Sequence, residues 1–330
     1  MPGTRWSTLR TRGGTAAALC AVAAISVGLA ACGSSSSSSS SSSSATTSSS
    51  TTASGGGPGA GKPPVTIGDK NFAEENILGA LYAQALEAKG YTIKLKDNVG
   101  SSEIIYKALT AGQIDMYPEY TGTLLSAVAE QTKEPASAEA AYTEAKAFIE
   151  PKGYALLEKT PFYDSNALIT QPAYASENHL SSIADLKALG KKVKLGGAPE
   201  FTTRFEGSIG LKKEYGVVPT FVPVSIELSY KAIEGGQVNV QSVFSTDGQL
   251  LGGKFKVLAD PKHVFGFQNV APIVKKSVLD AEGPAFAETI NKVSALLTIP
   301  AIQQMNKAVS IDKQSATSVA AQFLKANGLA

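Results

Sequence analysis

Ten residues that occur twice set the frame for what this chain can fold into. Lys107-Ala108-Leu109-Thr110-Ala111-Gly112-Gln113-Ile114-Asp115-Met116 returns 124 positions later as Lys231-Ala232-Ile233-Glu234-Gly235-Gly236-Gln237-Val238-Asn239-Val240. Each copy reads as the end of a helix, a glycine stop and the start of a strand. One large sheet gives no reason for such a unit to recur, whereas two similar α/β lobes do. Chance recurrence of a helix-stop pattern is the competing explanation, and the matching Lys-Ala and Gly-Gln pairs weigh against it.

The flanking patterns agree with two lobes. Val65–Gly68 reads as a short buried strand, and Asn71 with Glu74 three residues on reads as a helix cap before Ile77, Leu78, Leu81 and Ala85. Tyr91, Ile93 and Leu95 alternate as a strand does, Ser101 or Ser102 caps a helix through Leu109, and Ile114–Tyr117 is the next strand. Around the second copy, Val193–Leu195 and Phe221–Val224 read as strands, Glu206–Tyr215 and Glu227–Ile233 as helices. Gly196-Gly197 reads as a turn or hinge. From Asp280 the pattern is helical, through Phe286, Ile290, Val293 and Leu297 and again from Val319 to Leu324, a tail expected to pack back onto the first lobe. Alternating strands and helices imply parallel or mixed sheets covered on both faces, with a ligand cleft at the carboxyl ends of the strands.

The amino-terminal end is of another kind. Arg5, Arg10 and Arg12 precede an Ala-rich apolar run, Ala16 to Ala31, too short to span a bilayer as a helix and closed by small residues, as in a signal peptide. Leu29-Ala30-Ala31-Cys32 looks like the lipobox of bacterial lipoproteins, with Cys32 the lipidated residue; an ordinary secretory cleavage site is the plainer alternative. From Gly33 to about Pro63 the chain is almost wholly Ser, Thr, Gly, Ala and Pro, with nothing to bury, and reads as a tether of roughly 30 Å root-mean-square reach. The expected division is thus 1–31 signal peptide, 32–63 lipidated cysteine and tether, 64–165 with 272–330 as one lobe, and 166–271 as the other.

Several function classes fall away. The two cysteines, Cys20 and Cys32, both precede the folded part, which leaves that part no disulfide and no thiolate chemistry. Removing three arginines leaves 27 of the 30 basic residues against 28 acidic ones, a balance near −1 without the footprint of a nucleic-acid binder. His179 and His263 are the only histidines and have no ligand-spaced partners, so no metal is expected, and no cofactor. No nucleophile elbow, phosphate loop or paired-carboxylate signature points to an enzyme.

Ile67-Gly68-Asp69-Lys70-Asn71-Phe72-Ala73-Glu74, then Gly112 through Met116 continued by Tyr117-Pro118-Glu119-Tyr120-Thr121-Gly122-Thr123, closely resemble the substrate-binding proteins of glycine betaine, carnitine and choline ABC importers. Phe244-Ser245-Thr246-Asp247-Gly248 and Phe267-Gln268 before Ala271-Pro272 extend the likeness over Val65 to Ala330. The resemblance implies a two-lobed periplasmic-binding-protein fold, type II-like, closing on a small solute between its lobes. It also implies a permease and an ATPase as partners, and a monomeric binding protein held by lipid at the extracytoplasmic face of the cell membrane. Carried over residue by residue, it places Lys70, Tyr120, Thr123 and Arg204 at the ligand. Phe244 and Phe267 stand where the family has tyrosines, keeping a ring and losing a hydroxyl. Asn166, two residues beyond Asp164, stands where the family has a cage tyrosine, so one wall becomes amide. Glu119 and Asp247 read as structural, capping or bridging between lobes.

The chemistry such a site needs is independent of any likeness. A quaternary ammonium has no N–H to donate, so ring faces hold it, at about 0.5 to 2 kcal/mol each. A betaine's carboxylate calls for cationic or hydroxyl donors. The ligand the resemblance implies is a quaternary ammonium solute: glycine betaine, choline, carnitine or proline betaine. Asn166 keeps open another small polar or betainised amino-acid solute, and a sensor or scaffold lipoprotein without transport is the reading from a different class.

Overall fold

The computed structural model describes residues 56–330; the signal peptide, Cys32 and most of the tether lie outside the described residues. The first sheet begins with β1 (Val65–Gly68), helix α1 (Ala73–Glu87) and β2 (Ile93–Lys96), then α2 (Ser102–Thr110) and β3 (Met116–Tyr120). Helix α3 (Ala138–Ile149) leads to β4 (Tyr154–Leu156). The chain then crosses to a second sheet: β5 (Asn166–Thr170), β6 (Lys194–Gly197), β7 (Thr220–Pro223), helix α4 (Ser229–Glu234), β8 (Val240–Phe244) and β9 (Lys256–Val257). It returns to the first sheet as β10 (Val270–Lys275) and ends in helices α5 (Pro284–Leu296), α6 (Ile299–Ser310) and α7 (Ala316–Ala326). Among the described residues, no helix is long and apolar enough to cross a membrane.

The two sheets repeat one design. Their strand orders are β2-β1-β3-β10-β4 and β7-β6-β8-β5-β9. In each, the first three strands run parallel, and a strand beside β3 or β8 runs antiparallel. The ten-residue repeat is the same turn in both. Gly112 and Gly236 have φ +75° and +71°, a left-handed conformation that costs glycine least. Gln113 N–H donates to the Ala108 carbonyl and Gln237 N–H to that of Ala232, at 2.9 Å in each case. Asp115 accepts from Thr66 N–H of β1 and Asn239 from Lys194 N–H of β6, both at 2.8 Å, so one side-chain acceptor fixes each turn to the equivalent neighbouring strand.

Each sheet is covered on both faces. Ile77, Leu78, Leu81 and Leu86 of α1 pack with Phe286, Ile290, Ile302 and Leu324 of the carboxy-terminal helices over one face of the first sheet; Ile105, Leu109, Ala145 and Ile149 cover the other. The fully buried Tyr82 joins α1 to α5 within that first layer through a 2.9 Å hydrogen bond to Ser294. Burying each large apolar side chain contributes about 1.5–3 kcal/mol, and here the tail supplies much of the first sheet's cover. The second sheet has two smaller clusters, one around Leu186, Leu195 and Leu211, the other around Ile169, Ile233 and Val243.

Three local expectations change. Asn71 does not cap α1: Phe72 holds the cap position without a side-chain bond, and Asn71 turns to the space between the sheets. Gly196 and Gly197 are not a turn; they pair with Val222 and Pro223 inside the second sheet. The helix expected over 206–215 is broken at its start, where Glu206 has ψ +24° and Gly207 lies at φ −144°, ψ −134°. Gly207 comes so close to the Phe201 carbonyl that a Cβ would collide with it, and the break aims Glu206 inward rather than along a helix face.

Candidate ligand-binding site

The carboxyl ends of the parallel strands of both sheets open onto one cleft. This is where ligands sit in open α/β sheets, because side chains that follow strand ends converge there from several elements. Lys70 and Phe72 follow β1, Tyr120 ends β3, Arg204 follows β6 and Phe244 ends β8. Phe72 and Phe244 stack with centroids 5.0 Å apart and planes 25° from parallel, and Phe72 stacks on Tyr120 at 6.1 Å and 28°. Rings from both lobes thus form a continuous aromatic wall. At 5.0 Å the Phe72–Phe244 gap admits no cation, so a bound quaternary nitrogen rests on an outer face or edge of the wall, or the rings part.

The two cations of the cleft are already spent. Lys70, 3% exposed, places its ammonium 2.5 Å from Glu119 and 3.5 Å from Glu75, and 4.4 Å from the centroid of the Tyr120 ring. Burial pushes Glu75 up to about 8, against the opposing pull of Lys70. Arg204 donates from Nε and Nη2 to the two oxygens of Glu103 at 2.9 and 2.8 Å, a bidentate ion pair from the second sheet's lobe to α2 of the first. Burial resists ionisation of Glu103, yet the hydrogen bonds and charge of Arg204 outweigh it and lower the carboxyl to about 2.

The acids are less well matched. Asp164 accepts from the Ser245 hydroxyl and the Thr246 N–H, both at 3.1 Å, and burial together with Glu74 and Asp247 raises it well above the usual carboxylate range. Glu74 accepts from the hydroxyls of Tyr120 at 2.8 Å and Thr246 at 2.5 Å. Asp247 accepts from the Tyr230 hydroxyl and the Phe244 N–H, and burial raises it to about 6. Glu206 is 1% exposed, neither of its oxygens has a hydrogen-bond partner, and its nearest cation, Arg204 Nη1, is 3.8 Å away. Burial pushes it up to about 7, with the Arg204 charge opposing. The cleft is acidic in balance and presents acceptors rather than free donors.

Of the residues expected at the site, Lys70, Tyr120, Thr123, Asp164, Asn166, Arg204 and Phe244 line this cleft. Phe267 does not. It packs instead with the apolar cluster of α2 and α3, stacked 5.6 Å from His263, while its neighbour Gln268 takes the inward position and accepts from the Thr123 N–H and hydroxyl at 2.8 and 3.1 Å. Asn166 spends its amide on the Glu206 carbonyl at 3.1 Å and accepts from Ser242 at 3.4 Å, so the amide wall is a strut under Glu206. Glu119 pairs with Lys70, and Asp247 bonds within its own lobe rather than between lobes. Sequence reasoning missed Phe72 as a wall ring, although it stands inside the quoted Asn71-Phe72-Ala73-Glu74 run, and missed Glu206, whose orientation depends on a helix break that periodicity does not show. Among the described residues, no three His, Cys, Asp or Glu side chains are grouped to hold a metal ion.

Residues 63–326 match the family of the substrate-binding domain of ABC-type glycine betaine transport systems. The chain is 32% identical over 275 residues to a glycine-betaine-binding protein of Pseudomonas aeruginosa, covering 80% of this chain and 88% of that one. It is 28% identical over 281 residues to the glycine betaine-binding protein YehZ of Escherichia coli, covering 80% and 91%. In structure it is similar to the crystal structure of a glycine betaine/carnitine/choline ABC transporter, with a TM-score of 0.65 at 25% identity over 80% of this chain and 99% of that one.

Proposed function

The chain belongs to the family of substrate-binding domains of ABC-type glycine betaine transport systems, and from that premise we propose that it captures a quaternary ammonium solute between its lobes and delivers it to a permease. The observation that carries the reading is the wall of Tyr120, Phe72 and Phe244 in a cleft whose two cations are both paired with carboxylates. Rings hold a cation that offers no hydrogen, and a bound cation favours the charged forms of the buried acids around it, which burial raises. Delivery requires a permease and an ATPase. A lipid on Cys32 and the Ser/Gly-rich stretch after it would keep a monomeric binding domain beside that permease, outside the cytoplasm.

A second reading within the same class is favoured by Glu206. A zwitterion's carboxylate needs a free cation, and both cleft cations are engaged, whereas Glu206 has no hydrogen-bond partner and is raised by burial to about 7, so a cation beside it would favour its charged form. A cationic solute with a hydroxyl or N–H, choline in the first instance, satisfies the cleft better than glycine betaine. Calorimetric titration of the full chain with choline, glycine betaine, carnitine and proline betaine tests both readings. Binding of choline ahead of the three carboxylate-bearing solutes supports the second; binding of none of them, with an amino acid or sugar bound instead, refutes the first.

A further inference from the structure

The repeat runs further back than its ten residues. At the same spacing of 124, Ser101 answers to Ser225, Glu103 to Glu227, Ile104 to Leu228 and Tyr106 to Tyr230, ahead of Lys107 and Lys231. Ile104 and Leu228, at 53% and 50%, are the two most exposed large apolar side chains among the described residues. Single exposed apolar side chains are ordinary on a protein surface. Two that lead the whole surface and also hold equivalent places in a repeat call for one explanation. The lobe cores do not supply it, because these segments bury other residues: Ile105, Ala108 and Leu109 in the first copy, Ala232 and Ile233 in the second. Both knobs stand at the rim of the ligand cleft. Ser101 and Ser102, just before Ile104, line it from the first lobe, and Ile226 and Ser229, on either side of Leu228, line it from the second. The parallel strands of both sheets turn their carboxyl ends to that cleft, so the two copies face one another as units related by about half a turn do, one knob to each side of the mouth. A helical residue shares its face with the residue three further on. Lys107 and Lys231 hold that place; both are exposed, and among the described residues neither forms an ion pair.

We propose that Ile104 with Lys107 and Leu228 with Lys231 form a two-point docking surface for a permease built of two like halves, each half offering an apolar socket with an acidic side chain at its edge. The inference rests on the transport reading and goes beyond it in naming the contact residues and the symmetry of the partner. Charge sets the acidic edge, since each knob has an unpaired ammonium beside it. Likeness of the two knobs sets the two like halves, since a partner without that symmetry gains nothing from meeting the same pair of residues twice. The lobes turn about the strands that cross between them, so the distance between the knobs changes with closure. Two sockets at a fixed spacing accept one lobe angle only, and the permease thereby tells the closed, solute-bound protein from the open one.

Photo-cross-linking of the full chain, in cells that make the whole importer, tests the surface. Benzoylphenylalanine placed at position 104 or at position 228 captures an integral membrane protein, and mass spectrometry finds both positions joined to the same segment of the same polypeptide. Placed at Val218, 43% exposed but at the amino end of β7 and so away from the cleft, it captures none. Ile104→Glu and Leu228→Glu each lower choline uptake at least about tenfold, the effect of one large apolar side chain lost from a buried contact. Choline affinity by calorimetry stays within about twofold in both, because neither side chain lines the cleft. Lys107→Glu and Lys231→Glu lower uptake in the same way. Cross-links from 104 and 228 to different proteins, to unrelated segments, to a second copy of this chain or to nothing overturn the proposal, as does uptake unchanged in both glutamate variants of the knobs. Failure of the unaltered protein to bind choline or support its uptake bears on the transport reading instead, and the cross-linking pattern alone then decides the docking surface.

Discussion

Replacing Glu103 by glutamine separates the lobes' electrostatic latch from their packing. Glu103 stands in the first turn of α2 and Arg204 just after β6, so their bidentate pair at 2.9 and 2.8 Å ties one lobe to the other across the cleft. Glutamine keeps the length and one acceptor but removes the charge. Side-chain exposures of 15% and 32% leave the pair partly screened, so of the 1.5–3 kcal/mol assigned to a charged hydrogen bond we take about 2 kcal/mol for the latch as a whole. That is roughly a thirtyfold shift of the closed-to-open ratio. Other ties between the lobes, among them Thr246 to Glu74, Asn306 to the Thr246 carbonyl and Lys213 to the Thr132 carbonyl, are unchanged. Small-angle X-ray scattering without ligand then shows a larger radius of gyration for E103Q, and choline affinity falls by as much as roughly thirtyfold because the competent state is rarer. Glycine betaine loses less, since the freed Arg204 can meet its carboxylate. With Glu103 held at about 2 instead of 4.5, the latch is whole above about pH 4.5 and is lost only as pH falls toward 2. Scattering and affinities both unchanged in E103Q refute this account.

Four further outcomes follow from the same geometry. Phe244→Ala weakens quaternary ammonium binding roughly 2- to 30-fold by calorimetry, the loss of one ring face, whereas Tyr120→Phe leaves that affinity in place and lowers the unfolding free energy by about 1–2 kcal/mol through the donor taken from buried Glu74. Glu206 is raised from 4.5 to about 7, so the folded state holds a proton that the unfolded state releases between these values. Stability from this group is full below pH 4.5 and falls as pH rises through 7, by up to about 3 kcal/mol. In urea titrations Glu206→Gln gains stability over the unaltered protein at pH 8 and matches it at pH 5; a loss at pH 8 means that the Arg204 pairing outweighs burial. Gly112→Ala and Gly236→Ala each cost about 1–2 kcal/mol in the same assay, and nearly equally, because both occupy the left-handed stop of one repeated turn with no close contact in the way of a methyl group.

How much of this was legible in the sequence depends on how local each signal is. The ten-residue repeat announced the turn it forms, because a left-handed glycine and an acceptor at the strand's edge are dictated by residues adjacent in the chain. The rings that end β3 and β8 were placed by the family resemblance, and the structure brings them to the cleft because they close parallel strands whose carboxyl ends open there. Phe267 and Gln268 show the limit. Both lie in a segment that returns between lobes, and which of the two faces inward is decided by distant partners, Thr123 for one and the α2–α3 cluster for the other. Arg204 shows a deeper one. Its identity matched a ligand-binding arginine, yet its partner is Glu103, 101 residues earlier, and no periodicity links the two. The same holds for Glu206, whose buried carboxyl, without a hydrogen bond, is turned inward where Gly207 breaks a helix that the pattern continues. The expectation of a cation came with the family resemblance; the proposal about the ligand's other end rests on pairings between residues the sequence keeps far apart. An arginine already gripped by a carboxylate is a poor partner for a second one, and that is the ground on which choline is expected to bind ahead of glycine betaine.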